Sequence, residues 1–302
     1  MNFKEFSSPP FQVIKAENHQ IFDFSNSVSQ NVDSKVVESF GVEWEKFYDF
    51  SDFDINQLGG DYFGFLSKEI INENTYMLDV GCGTGRWSKY MASRVNFIEA
   101  IDPSKAIFFA DKLLRNVKNI RLSIAASDSL PFEDNTFDFV MSVGVLHHIP
   151  DTQKAIIDCV SKVKKGGYFY VYLYYAFDNR GFLFKTIFAI SDIIRKIVSK
   201  LPEKIKVFVC DVLAFVIYMP LVLLGRLFNL IGLKSLAKKL PLSDYQNKSL
   251  FIIRNDSLDR FGTSLEQRFT KVQIKEMLTN AGLIDIVIPD GPVHWVAVGK
   301  KP

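Results

Sequence analysis

The stretch Met77-Leu-Asp-Val-Gly-Cys-Gly-Thr-Gly-Arg86 decides how this chain reads. Tyr76–Val80 is a short apolar run, the pattern of a buried strand. It ends in glycines at alternate positions, 81, 83 and 85. Glycine accepts left-handed backbone and lets neighbouring groups come close, so the three mark a tight turn. Residues 86–94 then have helical composition. Strand, glycine turn and helix in that order present a nucleotide-type site at the C-terminal edge of an α/β sheet. A dinucleotide fingerprint needs G-x-G-x-x-G, whose third glycine allows close helix packing. Arg86 holds that sixth position; the spacing is G-x-G-x-G, preceded by Asp79.

Downstream the alternation continues. Residues 96–101 read as a second strand ending in Asp102, and Pro103-Ser104 opens a helix to about residue 116, proline suiting a first turn. Residues 120–124 and 137–143 are a third and a fourth strand. A helix over 152–164 stops at Gly166-Gly167, and 168–175 is a fifth, aromatic strand. Near the end, a helix over 271–281 closes at Gly282. Strands over 283–288 and 293–298 follow, split by Pro289-Asp290-Gly291-Pro292. This order predicts an α/β fold: a Rossmann-like, seven-stranded, mostly parallel sheet covered on both faces, plus an α-helical insert. The last strand should be antiparallel, because the final pair is too close for a helical crossover.

Four blocks at fixed offsets resemble the class I S-adenosylmethionine (SAM)-dependent methyltransferases. They are Asp79-Val-Gly-Cys-Gly-Thr-Gly85; Asp102, which ends the second strand; Leu130-Pro-Phe-Glu-Asp-Asn-Thr-Phe-Asp138; and Val145-Leu-His-His-Ile-Pro-Asp151. The last two are similar to the branch holding ubiquinone, menaquinone and other small-molecule methyltransferases. The resemblance covers 60–176 and extends to 270–302. It implies SAM as cofactor, held by Asp79, Gly81, Cys82, Gly83, Gly85, Asp102, Pro103, Gly144 and Val145. Asp79 would face the cofactor's amino group, and the glycine-turn amides its methionine part. Asp102 would take both ribose hydroxyls; its alternative is a helix N-cap. The family's adenine-contacting acid falls on Ala126 here, so Ser127 or Asp128 serves the adenine, or backbone amides do. His147 and His148 lie beside the donor as candidate bases, the alternative being that one packs or caps locally. His19 and His294 read as structural.

Composition sets the rest. Apolar residues make up 48% of 302, enough for a large core. The net charge is only +2, yet residues 180–240 carry 11 Lys/Arg against 3 Asp/Glu, a local charge of +8 that leaves −6 elsewhere. Such asymmetry marks a segment with its own partner. Cys82, Cys159 and Cys210 fit neither a metal site nor a disulfide framework, which predicts a reducing, cytoplasmic setting. The first ten residues carry no apolar core stretch and do not read as a secretory signal.

Three parts are expected. Residues 1–60 form an acidic, aromatic extension, with ten acids against four bases and a helical pattern over 34–50; it is either a lid or packing for the core. Residues 61–176 and 271–302 form the core. Residues 177–270 form a helical, hydrophobic and basic insert. Within it, 207–225 is long enough and apolar enough to span a membrane, broken by Asp211 and bent by Pro220. A single crossing would separate strands of one sheet. The insert therefore reads as a peripheral surface over 182–240 lying on an anionic membrane, or as a soluble cap against the core or a second subunit. The polar block 254–269 offers Arg254, Asp256, Arg260 and Arg268 for substrate, or for an internal ion-pair network.

The expected activity is methyl transfer, O-methylation first, to an amphiphilic or membrane-associated small molecule such as a lipid, a quinone precursor or a lipid-linked glycan. The alternatives are a non-catalytic SAM-binding or scaffold protein and, last, a nucleic-acid methyltransferase. Val143-Gly144-Val145-Leu146 stands where an Asn-Pro-Pro-aromatic motif would be, and the basic segment is too apolar for a nucleic-acid groove.

Overall fold

The structure, a computed structural model, describes residues 4–27, 29–177, 181–290 and 295–302. The chain divides into two compact units, residues 1–178 with 265–302, and residues 179–264.

The first unit is built on one nine-stranded sheet. Its elements in chain order are β1 (Gln12–Lys15), β2 (Gln20–Asp23), α1 (Ser34–Lys46), α2 (Asp52–Phe63), β3 (Tyr76–Val80), α3 (Arg86–Met91), β4 (Phe97–Ile101), α4 (Ala106–Leu113), β5 (Ile120–Ile124), β6 (Phe137–Val143), α5 (Thr152–Lys162) and β7 (Val163–Tyr172). After the second unit the sheet resumes, at α11 (Lys271–Asn280), β8 (Ile284–Val287) and β9 (Val296–Lys300). The strand order is β1-β2-β5-β4-β3-β6-β7-β9-β8. β2 and β5, β5 and β4, β4 and β3, β3 and β6, and β6 and β7 pair parallel. β9 runs antiparallel to both β7 and β8. The order reverses at β3 and β6, and open α/β sheets bind ligands at such a switch point, beyond the carboxyl ends of the strands.

Side chains alternate across the sheet, so each face has its own core. On one face Leu78, Phe169 and Val171 meet α5 (Ala155, Ile156, Cys159) and α11 (Ile274, Leu278). On the other, Met77, Ile98 and Tyr170 meet Phe63 of α2, Trp87 and Met91 of α3, and Ile107 and Ala110 of α4.

Two strands lie outside the expected seven. The N-terminal extension does contain a helix, α1, but it also pairs β1 with β2 and lays that hairpin on β5 as a new sheet edge. Arg121 anchors the residues before the hairpin: its guanidinium pairs with buried Glu99 (2.7 and 2.8 Å) and donates to the Lys4 carbonyl (2.8 Å). The fifth core strand also begins earlier than expected. Gly166-Gly167 does not end a helix; it sits inside β7, opposite an irregularity in β6. A Cβ at Gly167 would lie 2.7 Å from the Asp138 carbonyl, so only glycine lets the two strands approach there. Of the expected last strand, Val293 and His294 lie outside the described residues, as do Gly291 and Pro292 of the turn before it.

The second unit is helical: α6 (Phe182–Val198), α7 (Glu203–Leu213), α8 (Met219–Leu230), α9 (Lys234–Lys239) and α10 (Leu250–Gly262). α10 packs against α6 and α7. At Pro220, where a bend was expected, the helix is not interrupted: it runs from Glu203 to Leu230. A π turn over Ala214–Tyr218 comes just before the proline. Proline lacks an amide and clashes with the carbonyl four residues back; widening the preceding turn relieves both.

Candidate functional site

β3 carries Asp79 to the carboxyl edge of the sheet, and the chain then turns through Gly81–Gly85. Gly81 adopts φ +76°, and a Cβ on it would come within 2.6 Å of the Val145 side chain. The exit of β6, Gly144-Val145, is thus packed directly on the turn. The amides of Gly81 and Cys82 both donate to the Ile101 carbonyl (2.9 Å), and that of Gly83 to Asp102 Oδ2 (2.9 Å). The Gly85 amide closes on Cys82 (2.9 Å). These four amides, expected to face a ligand, are satisfied inside the chain and bind the turn to the end of β4. What the turn presents is therefore its two carboxylates.

Asp79 is fully buried. Its Oδ2 accepts from the Ser88 hydroxyl (2.6 Å), while Oδ1 has no hydrogen-bond partner. Burial pushes its carboxyl up to about 7, against the Ser88 hydrogen bond and with help from Asp102. An orphaned, buried carboxylate oxygen costs free energy unless a donor reaches it. The primary ammonium of SAM is a donor of the right charge. Asp102 stands at the carboxyl end of β4. Its Oδ1 accepts from the Ser104 amide (2.8 Å) and hydroxyl (2.6 Å). Asp102 does not cap α4, whose N-cap is Lys105; Ser104 passes the contact on to the Ala106 amide. Pro103 lies between Asp102 and Ser104. Cys82 is buried, and burial together with Asp102 and Asp79 holds its thiol well above the ordinary range, as a small inert filler.

Beyond β5 the two side-chain alternatives for adenine separate, the third being backbone amides. Asp128 accepts from the Ser29 hydroxyl (2.7 Å) and the amides of Gln30 and Asn31 (2.8 and 2.9 Å). Burial opposes its ionisation, but these bonds outweigh it and hold the carboxyl below the ordinary range. Asp128 is therefore an anchor for the loop leading into α1. The Ser127 hydroxyl is buried and has no partner.

The loop after β6 carries both histidines on a 3-10 turn, Leu146–His148. His147 is fully buried, and neither ring nitrogen has a hydrogen-bond partner. Burial, with His148 and Arg268 nearby, holds it far below the usual imidazole range, so it is neutral. Its ring stacks on Tyr174 (3.9 Å between centroids). His148 donates from Nδ1 to the Leu265 carbonyl (2.7 Å), which assigns it the Nδ1–H tautomer. The backbone of Gln267 donates to the His147 carbonyl (3.0 Å), and its side chain reaches the Ile149 carbonyl (2.7 Å). Arg268 pairs with Glu266 (2.7 Å) and covers the rings of Tyr174 and Phe177.

α1 crosses this edge. Its N-terminus is capped by Asp33, which accepts from the amides of Lys35 and Val36. Trp44 lies over the glycine turn: a Cβ on Gly83 would come 3.2 Å from its indole nitrogen. One turn earlier, Phe40 meets the His148 ring (4.9 Å). Arg86 sits over Trp44 and Phe50, both at 4.9 Å. Phe40 and Trp44 belong to the helix expected over 34–50 as a lid or as packing, and were not singled out as site residues. Their i, i+4 spacing puts them on one helix face, which was the available signal. Tyr172 and Tyr174, at the end of the aromatic strand, are the other residues it passed over.

The other candidates lie in the second unit. Arg254 makes a two-pronged pair with Asp211 (both 3.0 Å). Asp256, half-buried, accepts from the hydroxyls of Tyr218 (2.9 Å) and Tyr245. Arg260 holds the Ser191 hydroxyl (2.8 Å) and covers the Phe188 ring. This is the geometry of the internal network, the alternative to substrate binding, and it corrects the grouping of Arg268 with these three. Among the described residues, no three His, Cys, Asp or Glu side chains are grouped to hold a metal ion.

Residues 78–171 match the family described as methyltransferase domain. The stretch that carries the glycine turn, Asp102 and the two histidines is thus similar to a methyltransferase domain. The chain is 26% identical over 120 residues to a ubiquinone biosynthesis O-methyltransferase of Coxiella burnetii, covering 39% of this chain and 50% of the relative. It is 28% identical over 157 residues to a ubiquinone/menaquinone biosynthesis C-methyltransferase of Rickettsia felis, covering 46% and 59%. A solved SAM-dependent methyltransferase from Aquifex aeolicus overlaps 83% of this chain and 97% of its own, at 13% identity and a TM-score of 0.44. The chain thus spans about half the length of the curated relatives it matches. The orphaned Asp79 oxygen, Asp102 at its strand end and the unpartnered Ser127 hydroxyl are all polar groups suited to this methyltransferase cofactor.

Proposed function

We propose that the protein transfers a methyl group from SAM to an amphiphilic small molecule, at an oxygen. The observation that carries this is the orphaned carboxylate oxygen of Asp79, buried beside a glycine turn and next to Asp102. When bound, SAM supplies a methyl group already activated on a sulfonium, so the protein's task is alignment and exclusion of water. Asp79 would hold the ammonium, Asp102 the ribose hydroxyls through its remaining lone pairs, and Ser127 the adenine. Trp44 would roof the turn against water.

Two observations favour an oxygen acceptor of apolar character. A hydroxyl that is protonated at the start needs a base, and His147 offers two unpartnered ring nitrogens; because burial disfavours its imidazolium, it would take the proton only in concert with methyl transfer. The surroundings of that histidine are aromatic: Tyr172, Tyr174 and the His148–Phe40 pair. A lipid, a quinone precursor or a lipid-linked glycan fits such a wall, and the curated relatives named for ubiquinone biosynthesis support the quinone choice.

The test is incubation with methyl-labelled SAM and, in parallel, lipid, glycan and aqueous extracts, followed by tracing of the label. Label in an apolar ether-containing product supports the reading. Saturable SAM binding without label in any fraction would instead favour a binding or scaffold protein.

A further inference from the structure

The second unit leaves a long apolar helix face uncovered. The run from Glu203 to Leu230 is helical throughout, with a mean hydropathy of 2.6 over its most apolar 18 residues, of which only 22% are buried. Its two faces separate cleanly. Cys210, Ala214, Tyr218, Val222 and Gly225 are buried, at spacings of four, four, four and three. Ile205, Phe208, Val212, Phe215, Leu223 and Leu227 repeat on the other side at helical spacing, and each is between 41% and 66% exposed. The neighbouring helix repeats the design, with Ile190, Ile193 and Ile197 more than half exposed. Soluble proteins rarely leave so much contiguous apolar surface uncovered.

We propose that this face is a membrane-docking surface: the Glu203–Leu230 helix lies in the plane of an anionic lipid interface, with its outer face in the acyl layer. Three observations choose this occupant. First, the ends of the unit return to one place. Tyr175 and Phe269 are bridged, and the Phe269 amide donates to the Tyr174 carbonyl (2.9 Å), so the chain leaves and rejoins the sheet side by side. A single crossing would put β8 and β9 on the wrong side of the bilayer from β7, to which β9 pairs. Second, the inner face of the helix is bonded to polar groups. Tyr218 donates to Asp256, and Ser257 donates to the Cys210 carbonyl (2.7 Å). A helix with one polar-bonded and one bare apolar face is suited to the boundary of hydrocarbon and water. Third, exposed lysines flank the face at both ends, Lys200 and Lys204 before it, and Lys234, Lys238 and Lys239 after it. They complement anionic headgroups, and the segment's +8 charge accords with them. The proposal deepens the amphiphilic-acceptor reading, on which its purpose rests, by stating where such an acceptor is met.

The test is flotation of the full chain with phosphatidylcholine vesicles, with and without phosphatidylglycerol, at low and high salt. The parent should float with the anionic vesicles and be released at least in part at high salt. Phe208→Asp combined with Leu223→Asp should lower the partition about tenfold or more, by placing charge at hydrocarbon depth. Lys200→Gln combined with Lys204→Gln, which touches no packed residue, should lower it about fivefold per lysine. Far-ultraviolet circular dichroism accompanies each variant, retained helix signal showing that the helical unit is folded, and titration with S-adenosylhomocysteine reports on the sheet unit. Three results would overturn the proposal: no flotation of the parent, flotation indifferent to both pairs of substitutions, or a self-associating parent that the aspartates turn into monomers. Absence of flotation with cofactor binding intact removes only the docking surface. Flotation without cofactor binding removes only the methyltransferase reading.

Discussion

If Asp79 holds the cofactor's ammonium as proposed, cofactor binding should depend on pH, and the sign can be worked out. Its carboxyl is raised to about 7 in the fold, above the ordinary range near 4. The stability it contributes is therefore full below about pH 4 and is lost as the pH rises through 7. Cofactor binding runs the other way. A cationic ammonium is held by the ionised form, so a proton must leave below pH 7. The affinity for S-adenosylhomocysteine should fall, approaching about tenfold per pH unit below 7, with proton release measurable by calorimetry in buffers of different ionisation enthalpy. Asp79→Asn should weaken binding and flatten this pH profile; a profile unchanged in that variant would remove the role. Gly81 is a second single-residue test. Gly81→Ala meets both a φ of +76° and the Val145 side chain at 2.6 Å, and should destabilise the protein by about 1–3 kcal/mol or more in denaturant unfolding.

At the scale of elements, α1 is the part with the clearest consequence. Trp44 lies on the glycine turn and Phe40 on His148, so a ligand entering that edge changes the surroundings of the indole. Binding of S-adenosylhomocysteine should change tryptophan fluorescence, and Trp44→Phe should remove most of that change while leaving the Trp87 and Trp295 signals. Asp33→Ala, which deletes the cap of α1, should cost about 1 kcal/mol in stability. Which parts of this were legible in the sequence follows from range. The β3 turn, the Asp102 offset and the parallel core were readable, because period and spacing along the chain determine them. The β1–β2 hairpin was not: each strand has only four residues, and the strand on which β2 pairs, β5, lies about a hundred positions away. Asp128 stood as one of the alternatives for the adenine, beside Ser127 and backbone amides, for the same reason. Nothing local tells that Ser29, Gln30 and Asn31 use its carboxylate.

Across the whole molecule, the division of labour follows the distribution of charge and hydropathy. The sheet unit carries the glycine turn, both carboxylates and the histidines, and its matched residues, 78–171, lie wholly inside it. The helical unit carries the basic, apolar surface, and Arg254, Asp256 and Arg260 hold it together. The polar block was read as either a substrate site or an ion-pair network, since a sequence states charges and not their partners. The measurement that bears most directly on the central claim is calorimetric titration of the intact chain with S-adenosylhomocysteine, alongside Asp102→Ala and Asp102→Asn. The second variant guards against loss of the Gly83 and Ser104 bonds. Saturable one-site binding by the parent, lost in the alanine variant and weakened in the asparagine variant with folding intact, is the predicted result. No binding by the parent, or full affinity in both folded variants, would contradict the assignment of a methyltransferase cofactor site to this edge of the sheet.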